Sequence, residues 1–343
     1  MVMLKPVVDR VEEVSPSQAD PMGVLRVIPI IGPSREDPKY RVLDKEAQEK
    51  VVVKEVDESG SVPELLVNNG LDSLVYLMDG QELVGAKQNR ILNTDVLIPA
   101  GVTLKIPVSC VESGRWGYAS PNFSPGKSAS HLIRSRKTQR VHQNLKSRNQ
   151  HDADQHAVWR EVDLCMSMAD VSSPTQAMHE AYAQREGELK LAKEKLQMPT
   201  DAVGVAVFRG GNFMGLDLFD RHTTLRYFWD SLVDSYAIEL IRSLDEENET
   251  VESSLKTDLE AALQQAGEGE WEQFDSPGEG DDYRLEHDAY AGSALIWNDQ
   301  AVVHFQLFPK QDLSQPEDVS RQARQSLRPG RIRRIYDIPT QQE

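Results

Sequence analysis

The sequence has little cysteine and no long apolar run, and both shortages restrict the class of protein. Only Cys110 and Cys165 are present, too few for a disulfide framework, and a chain of 343 residues can bury a core without cross-links. No stretch approaches the roughly 20 apolar residues that a membrane-spanning helix needs. Residues 1–14 mix charges with short apolar runs and lack the apolar core of a secretion signal. We therefore expect a cytoplasmic protein that does not enter a membrane.

Familiar catalytic and cofactor motifs are also missing. The chain contains no P-loop, dinucleotide-binding glycine fingerprint, zinc-ligand pairs or serine nucleophile elbow. His151, Asp152, Asp154 and His156 lie close together in sequence, but histidines five positions apart do not share a helix face. A polar helix start, capped by Asp152 or Asp154, is the favoured interpretation of this cluster over a metal site. We expect no metal and no cofactor.

One long segment lacks acidic residues although the chain as a whole is acidic. Residues 113–151 contain eight Lys or Arg and no acid, so the remainder must carry −25 for the net charge to be −17. That net charge repels phosphate backbones, and we expect no specific nucleic-acid partner. The basic segment is interpreted as a solvated helix or loop folded back on the acidic body. The alternative is a binding site for a small polyanion such as a nucleotide diphosphate.

The apolar pattern changes along the chain and predicts an α+β fold. Short Val, Ile and Leu runs between turn residues are typical of strands, and later segments have helical spacing. It is left open whether the central part forms one unit or two. The predicted parts are a flexible lead-in at 1–22, a domain at 24–310 and a mobile tail at 311–343. Within that domain we expect a β-rich part at 24–118, a helical part at 128–198 and an α+β part at 200–310.

Three turn signals predict hairpins in this fold. Asp79-Gly80, Gly210-Gly211 and Asn298-Asp299 each separate two apolar runs, and these residue types suit the backbone angles of tight turns. Residues 102–110 alternate strictly between apolar and polar positions, which places Cys110 on a buried strand face. A thiol there packs as a small hydrophobe and is not expected to act as a nucleophile.

Two longer segments are predicted from helix signals and composition. Ser173-Pro174 is typical of a helix start, and the apolar spacing that follows predicts one helix up to Leu196. Residues 267–288 contain nine acids, one Arg and four Gly, which predicts an exposed acidic loop.

The densest polar segment runs from Asp79 to Asn93, and a second runs from Ser109 to Trp116. We predict that the two segments meet and form one ligand site. Lysine and arginine can hold a diphosphate, and tryptophan can stack on an adenine or nicotinamide ring. The candidate catalytic carboxylates, which could act as acid or base, are Glu82 and Glu112. The candidate ligand-binding residues are Lys87, Gln88, Arg90, Asn93, Arg115 and Trp116.

Structural roles for the same residues are the alternative. Glu112 and Arg115 can form an ion pair that fixes the strand end, and Glu82 can be an exposed hairpin residue. The other cations can hold carboxylates of the acidic body, and Trp116 can fill the core.

The two polar segments, with four shorter ones, resemble the family named for its association with ADP-ribosylglycohydrolases and rhodanese-phosphatases. The resemblance covers residues 24–308 and is most specific in the first two segments. It implies a link to enzymes of ADP-ribose and NAD metabolism and brings no established catalytic residue. The shorter segments are Asp154-Gln155 with Val158-Trp159, Phe208-Arg209-Gly210-Gly211, Leu216-Asp217-Leu218-Phe219-Asp220 and Ser235-Tyr236-Ala237.

These observations lead to two hypotheses of different class. The first is binding or processing of a phosphorylated ligand derived from ADP-ribose, NAD or a related nucleotide. If the protein is an enzyme, carboxylates plus cations suit a hydrolase or transferase. The second is a noncatalytic scaffold that recruits a partner enzyme of ADP-ribose metabolism through its acidic loop or basic tail.

Overall fold

The computed structural model describes residues 13–14, 17–20, 24–57, 60, 63–241, 252–299 and 301–313. Within these residues the chain forms eighteen strands, six α-helices and a 3₁₀ helix at Ala47–Glu49. The first twelve strands are β1 (Glu13–Val14), β2 (Gln18–Ala19), β3 (Leu25–Ile31), β4 (Tyr40–Val42), β5 (Val51–Glu55), β6 (Glu64–Asn69), β7 (Leu74–Leu77), β8 (Gln81–Gly85), β9 (Arg90–Leu92), β10 (Val96–Ile98), β11 (Thr103–Cys110) and β12 (Phe123–Ser128). The last six are β13 (Ala202–Arg209), β14 (Asn212–Phe219), β15 (Glu270–Asp275), β16 (Asp281–Glu286), β17 (Tyr290–Trp297) and β18 (Ala301–Pro309). The helices are α1 (His131–Arg148), α2 (Gln155–Met168), α3 (Met178–Gln184), α4 (Glu186–Lys193), α5 (His222–Ala237) and α6 (Glu252–Glu268).

The strands of the described residues form three sheets, which confirms the α+β class and the β-rich N-terminal half. A closed barrel has the order β11-β6-β5-β12-β8-β9, and a small sheet has the order β10-β7-β4. The largest sheet runs β1-β3-β13-β14-β18-β17-β16-β15, with β2 also paired to β3. Strands β1 and β2 lie within the expected lead-in at 1–22, and both pair with β3 in this sheet. The barrel positions the first polar segment, because β8 and β9 are neighbours in it.

Alternation along each strand fills the barrel with apolar side chains. Val53, Val67, Leu83, Leu92 and Val108 belong to one buried cluster inside it. Successive side chains of a strand point to opposite faces, so every second residue faces this interior. Closure leaves the barrel without an exposed sheet edge. Because the interior is apolar, polar residues that continue an inward-facing series lie at the ends of the barrel.

The large sheet has an apolar layer on both faces. Helix α6 covers one face with Leu255, Leu259 and Ala262, which recur at helical spacing and pack against β13, β14 and β18. The opposite face is covered by α5 and the other helices in a second cluster that also reaches Tyr76 of β7. No helix within the described ranges is both long and apolar enough to cross a membrane.

Helix α1 is the basic segment, and its expected solvation is wrong. Thirteen of its eighteen residues are buried, including Arg134 and Lys137, which are fully enclosed. Their charges are compensated because Arg134 pairs with Asp217, and Lys137 with Asp79. His304 adds contacts of 3.0 Å to Asp95 and 3.2 Å to Asp217. We call this set the helix network: Asp79, Asp95, Arg134, Lys137, Asp217 and His304.

Two of the three predicted hairpins are confirmed and one is wrong. Gly210-Gly211 joins the paired strands β13 and β14, and Asn298-Asp299 joins β17 and β18. Asp79-Gly80 does form a turn, in which the Gln81 N–H donates to the Met78 carbonyl at 3.0 Å. Its flanking strands separate, however, since β7 joins the small sheet and β8 enters the barrel.

The long helix predicted from Ser173 to Leu196 is also wrong. Two shorter helices, α3 and α4, meet at Arg185. The residues before them hydrogen-bond to the strand end after β11, with the Met178 N–H donating to the Val111 carbonyl at 3.0 Å. These tertiary hydrogen bonds replace the first turns of the predicted helix.

The predicted acidic loop at 267–288 is likewise wrong, because β15 and β16 form a hairpin there. Its apolar residues anchor it: Trp271 packs on Phe305 with ring centroids 5.7 Å apart, and Leu285 is buried. Asp282 is buried too, 2.7 Å from Arg284 and 2.8 Å from His151. Charge compensation of this kind cannot be read from the acid content of a segment.

Candidate functional site

The two polar segments meet at one end of the barrel. Arg90 of β9 pairs with Cys110 of β11 on one side and with Leu83 of β8 on the other. Beyond Cys110 the chain continues past Glu112 to Trp116 and returns beside the turn between β8 and β9. We call this end the barrel mouth: Glu55, Lys87, Gln88, Arg90, Cys110 and Trp116.

Two charged side chains at the mouth face the barrel interior. Arg90 continues the inward series of Leu92, and Glu55 continues that of Val53. Arg90 is fully buried and Glu55 is 6% exposed. Neither forms an ion pair with a residue that the structure describes. Because an uncompensated buried charge is costly, the pair marks a place where an external partner would be favourable.

The polar atoms of these two side chains are only partly satisfied. One guanidinium nitrogen of Arg90, Nη1, donates to the Gln88 carbonyl at 3.3 Å and to Gln88 Oε1 at 3.2 Å. Its Nε and Nη2 have no hydrogen-bond partner among the residues that the structure describes. Glu55 Oε1 accepts from the Lys87 N–H at 3.3 Å, while Oε2 has no partner within the described part of the chain. The mouth therefore offers both donors and an acceptor.

An aromatic and basic surface lies next to these groups. Trp116 and Tyr118 are 54% and 56% exposed, which is unusual for rings of this size. The ammonium of Lys87 lies 5.3 Å from the centroid of each ring, within the range of a cation–π contact. Trp116 thus does not fill the core, and its ring is available for stacking.

Glu112 and Arg115 form the ion pair that was the structural alternative for them. Arg115 donates to Glu112 through Nε at 2.9 Å and Nη2 at 2.6 Å, and to the Ala86 carbonyl at 2.6 Å. Burial raises the pKa of Glu112, but the hydrogen bonds from Arg115, the Asn89 N–H and Thr175, together with the charge of Arg115, outweigh burial and lower the net pKa. The pair holds the residues after β11 against the turn after β8.

Glu82 faces outward from the barrel, where it contacts His179 at the start of α3. It is fully buried, and the prediction of an exposed hairpin glutamate is wrong. The Glu82 Oε2 to His179 Nδ1 distance is 3.1 Å, and 42% of the His179 side chain is exposed. Burial raises the pKa of Glu82, and the pKa of His179 is raised because its ring N–H donates a hydrogen bond to the Glu82 carboxylate. Such a pair can take up and release a proton at an exposed imidazole.

Of the remaining predicted residues, Gln88 lies at the mouth and Asn93 lies away from it. Gln88 is buried and donates to the Glu112 carbonyl at 2.8 Å. Cys110 is buried, as expected, and burial raises the pKa of its thiol. Asn93 lies at the far end of β9, where it donates to the His151 carbonyl at 2.9 Å and contacts Ser109. Geometry thus separates Asn93 from the other predicted ligand-binding residues.

A group with metal-ligand spacing lies elsewhere, on α1 and the β15–β16 hairpin. His142, Glu272 and Glu286 place one ligand atom each within 4.8 Å of the others. Lys146 lies 3.1 Å from Glu272 and 3.0 Å from Glu286, so its ammonium already compensates the two carboxylates. The cluster from His151 to His156, which was weighed as a metal site in the sequence, contains a helix cap. Asp154 caps α2 by accepting from the Ala157 N–H.

Sequence reasoning missed three residues of this region. Glu55 lies two residues after Val53 in a Val-rich strand, so it faces the same side as that core valine, and this spacing was available in the sequence. Tyr118 lies two residues beyond Trp116 and could have been added to it. His179 had no such signal, because only the packing of α3 brings it to Glu82, 97 residues away.

Comparison with known proteins identifies one match. The family model described as the ARG and Rhodanese-Phosphatase-superfamily-associated Protein domain matches residues 13–308. No curated protein and no solved structure matches the chain significantly.

Proposed function

Because this chain belongs to the ARG and Rhodanese-Phosphatase-superfamily-associated Protein domain family, we propose that its barrel mouth binds a nucleotide derived from ADP-ribose or NAD. The observation that carries the proposal is the presence of two buried charges, Arg90 and Glu55, that no described residue compensates. A ligand carrying an anion and hydroxyl groups would satisfy both. Mouths of β-barrels are also a common location for small-molecule sites.

Each part of such a ligand has a chemically matched group at the mouth. The exposed rings of Trp116 and Tyr118 suit an adenine or nicotinamide ring. The unpartnered carboxylate oxygen of Glu55 suits a ribose hydroxyl, which donates a hydrogen bond. Arg90 suits a phosphate oxygen, and Lys87 adds a positive charge beside the rings. Arg115 and Gln88 then serve to position the loop around the ligand.

A proton-transfer role for Glu82 and His179 would make the protein a hydrolase or transferase. The exposed imidazole would exchange the proton with a substrate hydroxyl or water, while buried Glu82 would hold the ring. Glu112 would act through its ion pair with Arg115, by positioning the loop. The cytoplasm is the compartment we assign to this function, in keeping with two buried, unlinked cysteines.

The exposed rings of Trp116 and Tyr118 also favour a second candidate function, the docking of a partner enzyme. Large aromatic side chains dominate the binding energy of many protein interfaces. Of the two segments expected to recruit a partner, the acidic one contains the β15–β16 hairpin, and the basic tail at 311–343 lies beyond residue 313 outside the described residues.

Calorimetry of the full chain with ADP-ribose, NAD and ADP tests the proposal. We expect binding, and we expect Trp116→Ala to weaken it by about tenfold, since stacking on an aromatic contributes about 1–3 kcal/mol. Val102→Ala is the matched control, because Val102 is exposed but precedes β11 at the opposite end of the barrel. Absence of binding at millimolar concentrations of all three ligands would sink the proposal. Loss of a partner enzyme in the Trp116 variant without any nucleotide binding would support docking instead.

A further inference from the structure

A polar cavity lies between α1 and α2, away from the residues of the barrel mouth. It has a volume of about 290 Å³ and is lined by Arg136, Arg140, Arg160 and Glu161, with Asp163 and Leu164 at its side. A wider cleft of about 1080 Å³ shares Arg140 and Arg160 with it. Ligand pockets typically enclose roughly 300–1,000 Å³, and the volume of each of these two spaces lies close to one limit of that range.

Two arginines contact a single buried carboxylate in this cavity, and a third arginine, Arg160, lines the cavity beside them. Arg140 Nη1 lies 2.7 Å from Glu161 Oε1, and Arg136 Nη1 lies 3.7 Å from the same atom. Arg160 is exposed and forms no ion pair with a residue in the described ranges. Asp163 is the other acid of the cavity, and it is exposed. The guanidinium groups therefore exceed the carboxylates, and one Glu161 oxygen cannot saturate three of them.

Unsatisfied buried atoms point to a missing partner. Arg136 is 4% exposed, and its Nε has no hydrogen-bond partner in the described ranges. Glu161 is 2% exposed, and its Oε2 is also without one. Buried polar groups are nearly always hydrogen-bonded, so this arrangement is incomplete without a ligand or water. An oxyanion with several oxygens could accept from Arg136, Arg140 and Arg160 together.

We infer that this arginine cavity is a binding site for a phosphate-bearing small molecule, separate from the barrel mouth. Guanidinium groups match phosphate oxygens in two-pronged geometry, and they keep their charge at any physiological pH. The wider cleft receives the remainder of the ligand, beside Gln155 and His151. Lys105 and Glu64 of that cleft pair with each other, which leaves the arginines as the anchor.

The cavity is linked to the barrel mouth through one side chain. Gln155 lines the wider cleft, and its amide contacts the backbone of Cys110 twice. Its Oε1 accepts from the Cys110 N–H at 2.7 Å, and its Nε2 donates to the Cys110 carbonyl at 2.8 Å. A ligand in the cleft would thus lie against the strand end that forms the mouth.

Titration of the full chain with inorganic phosphate and pyrophosphate, against sodium chloride of equal ionic strength, tests the inference. We expect both anions to bind and Arg160→Gln to weaken them by about tenfold, the equivalent of about 1.4 kcal/mol. Arg148→Gln is the control, because it also removes one positive charge. Arg148 lies on α1 and lines the wider cleft but not the arginine cavity. We expect it to change the affinity less than twofold.

Glu161→Gln gives a second test with the opposite sign. Removing the carboxylate that competes for Arg140 should strengthen phosphate binding, whereas Trp116→Ala should leave it unchanged. Equal effects of Arg160→Gln and Arg148→Gln, or no anion binding beyond that of chloride, would overturn the inference. Since Trp116→Ala reports on the mouth alone, failure of one site leaves the other still measurable.

Discussion

Buried charges are treated in opposite ways in the helix network and at the barrel mouth. In the network every charged side chain contacts an opposite charge, as Lys137 does with Asp79. At the mouth, Arg90 and Glu55 are buried to a similar degree but have no ion partner among the described residues. A buried charge with a partner contributes to a stable fold, whereas one without a partner destabilises it until something binds. The comparison distinguishes residues that hold the fold from residues that we propose to bind a ligand.

The largest expected effect comes from breaking the helix network. Asp217→Asn would leave Arg134 buried without a counter-charge and would remove one of the two carboxylates around His304. Loss of one partner of a buried ion pair costs about 3–5 kcal/mol of unfolding free energy. Urea denaturation measures this cost.

Glu64→Gln is the control for the network variant, because it removes the same charge from an exposed pair. Glu64 lies 2.9 Å from Lys105 and both side chains are at least 41% exposed. Exposed pairs contribute at most about 1 kcal/mol. If Asp217→Asn cost no more than Glu64→Gln, the network would not hold the fold.

Alkaline pH should weaken the network through His304. Burial lowers the pKa of this imidazole, but the charges and hydrogen bonds of Asp95 and Asp217 outweigh burial and raise the pKa to about 9. The stabilisation is complete below the unfolded pKa of about 6.5 and is lost as the pH rises through about 9. The unfolding free energy should fall by about 3 kcal/mol over that range.

Urea midpoints between pH 6 and pH 10 measure this dependence. His304→Gln is the matched variant, since it cannot gain or lose a proton in this range. Its stability should be lower at pH 6 and should change less with pH. A wild-type stability that stays flat from pH 6.5 to 9.5 would contradict the charged state assigned to His304.

Local signals in the sequence predicted local structure well. The turn residues Gly210-Gly211 and Asn298-Asp299 set the backbone angles of two hairpins, and Asp154 caps α2. The failures concern which distant segment an element meets. The Asp79-Gly80 turn has the predicted chemistry, but turn residues do not specify which sheet the following strand joins.

The candidate site shows the same division. The convergence of the two polar segments follows from the neighbouring strands β8, β9 and β11, and it was predicted. The burial of α1 could not be predicted, because its basic residues are solvated or enclosed according to where their acids lie. Arg134 meets an acid 83 residues away and Lys137 one 58 residues away. The composition of the segment itself does not indicate which distant acids its basic residues will contact.

The smallest expected effect on stability is at the mouth. Glu55→Gln should not lower the unfolding free energy, in contrast to Asp217→Asn. Removing an uncompensated buried charge while keeping the shape should leave the unfolding free energy unchanged or raise it by up to about 1 kcal/mol. The same variant should weaken nucleotide binding, because an amide is a poorer acceptor for a ribose hydroxyl than a carboxylate is. Urea denaturation and calorimetry on one preparation measure both quantities. If Glu55→Gln instead cost as much stability as Asp217→Asn and left binding unchanged, Glu55 would belong with the structural charges, and the distinction between the two regions would fail.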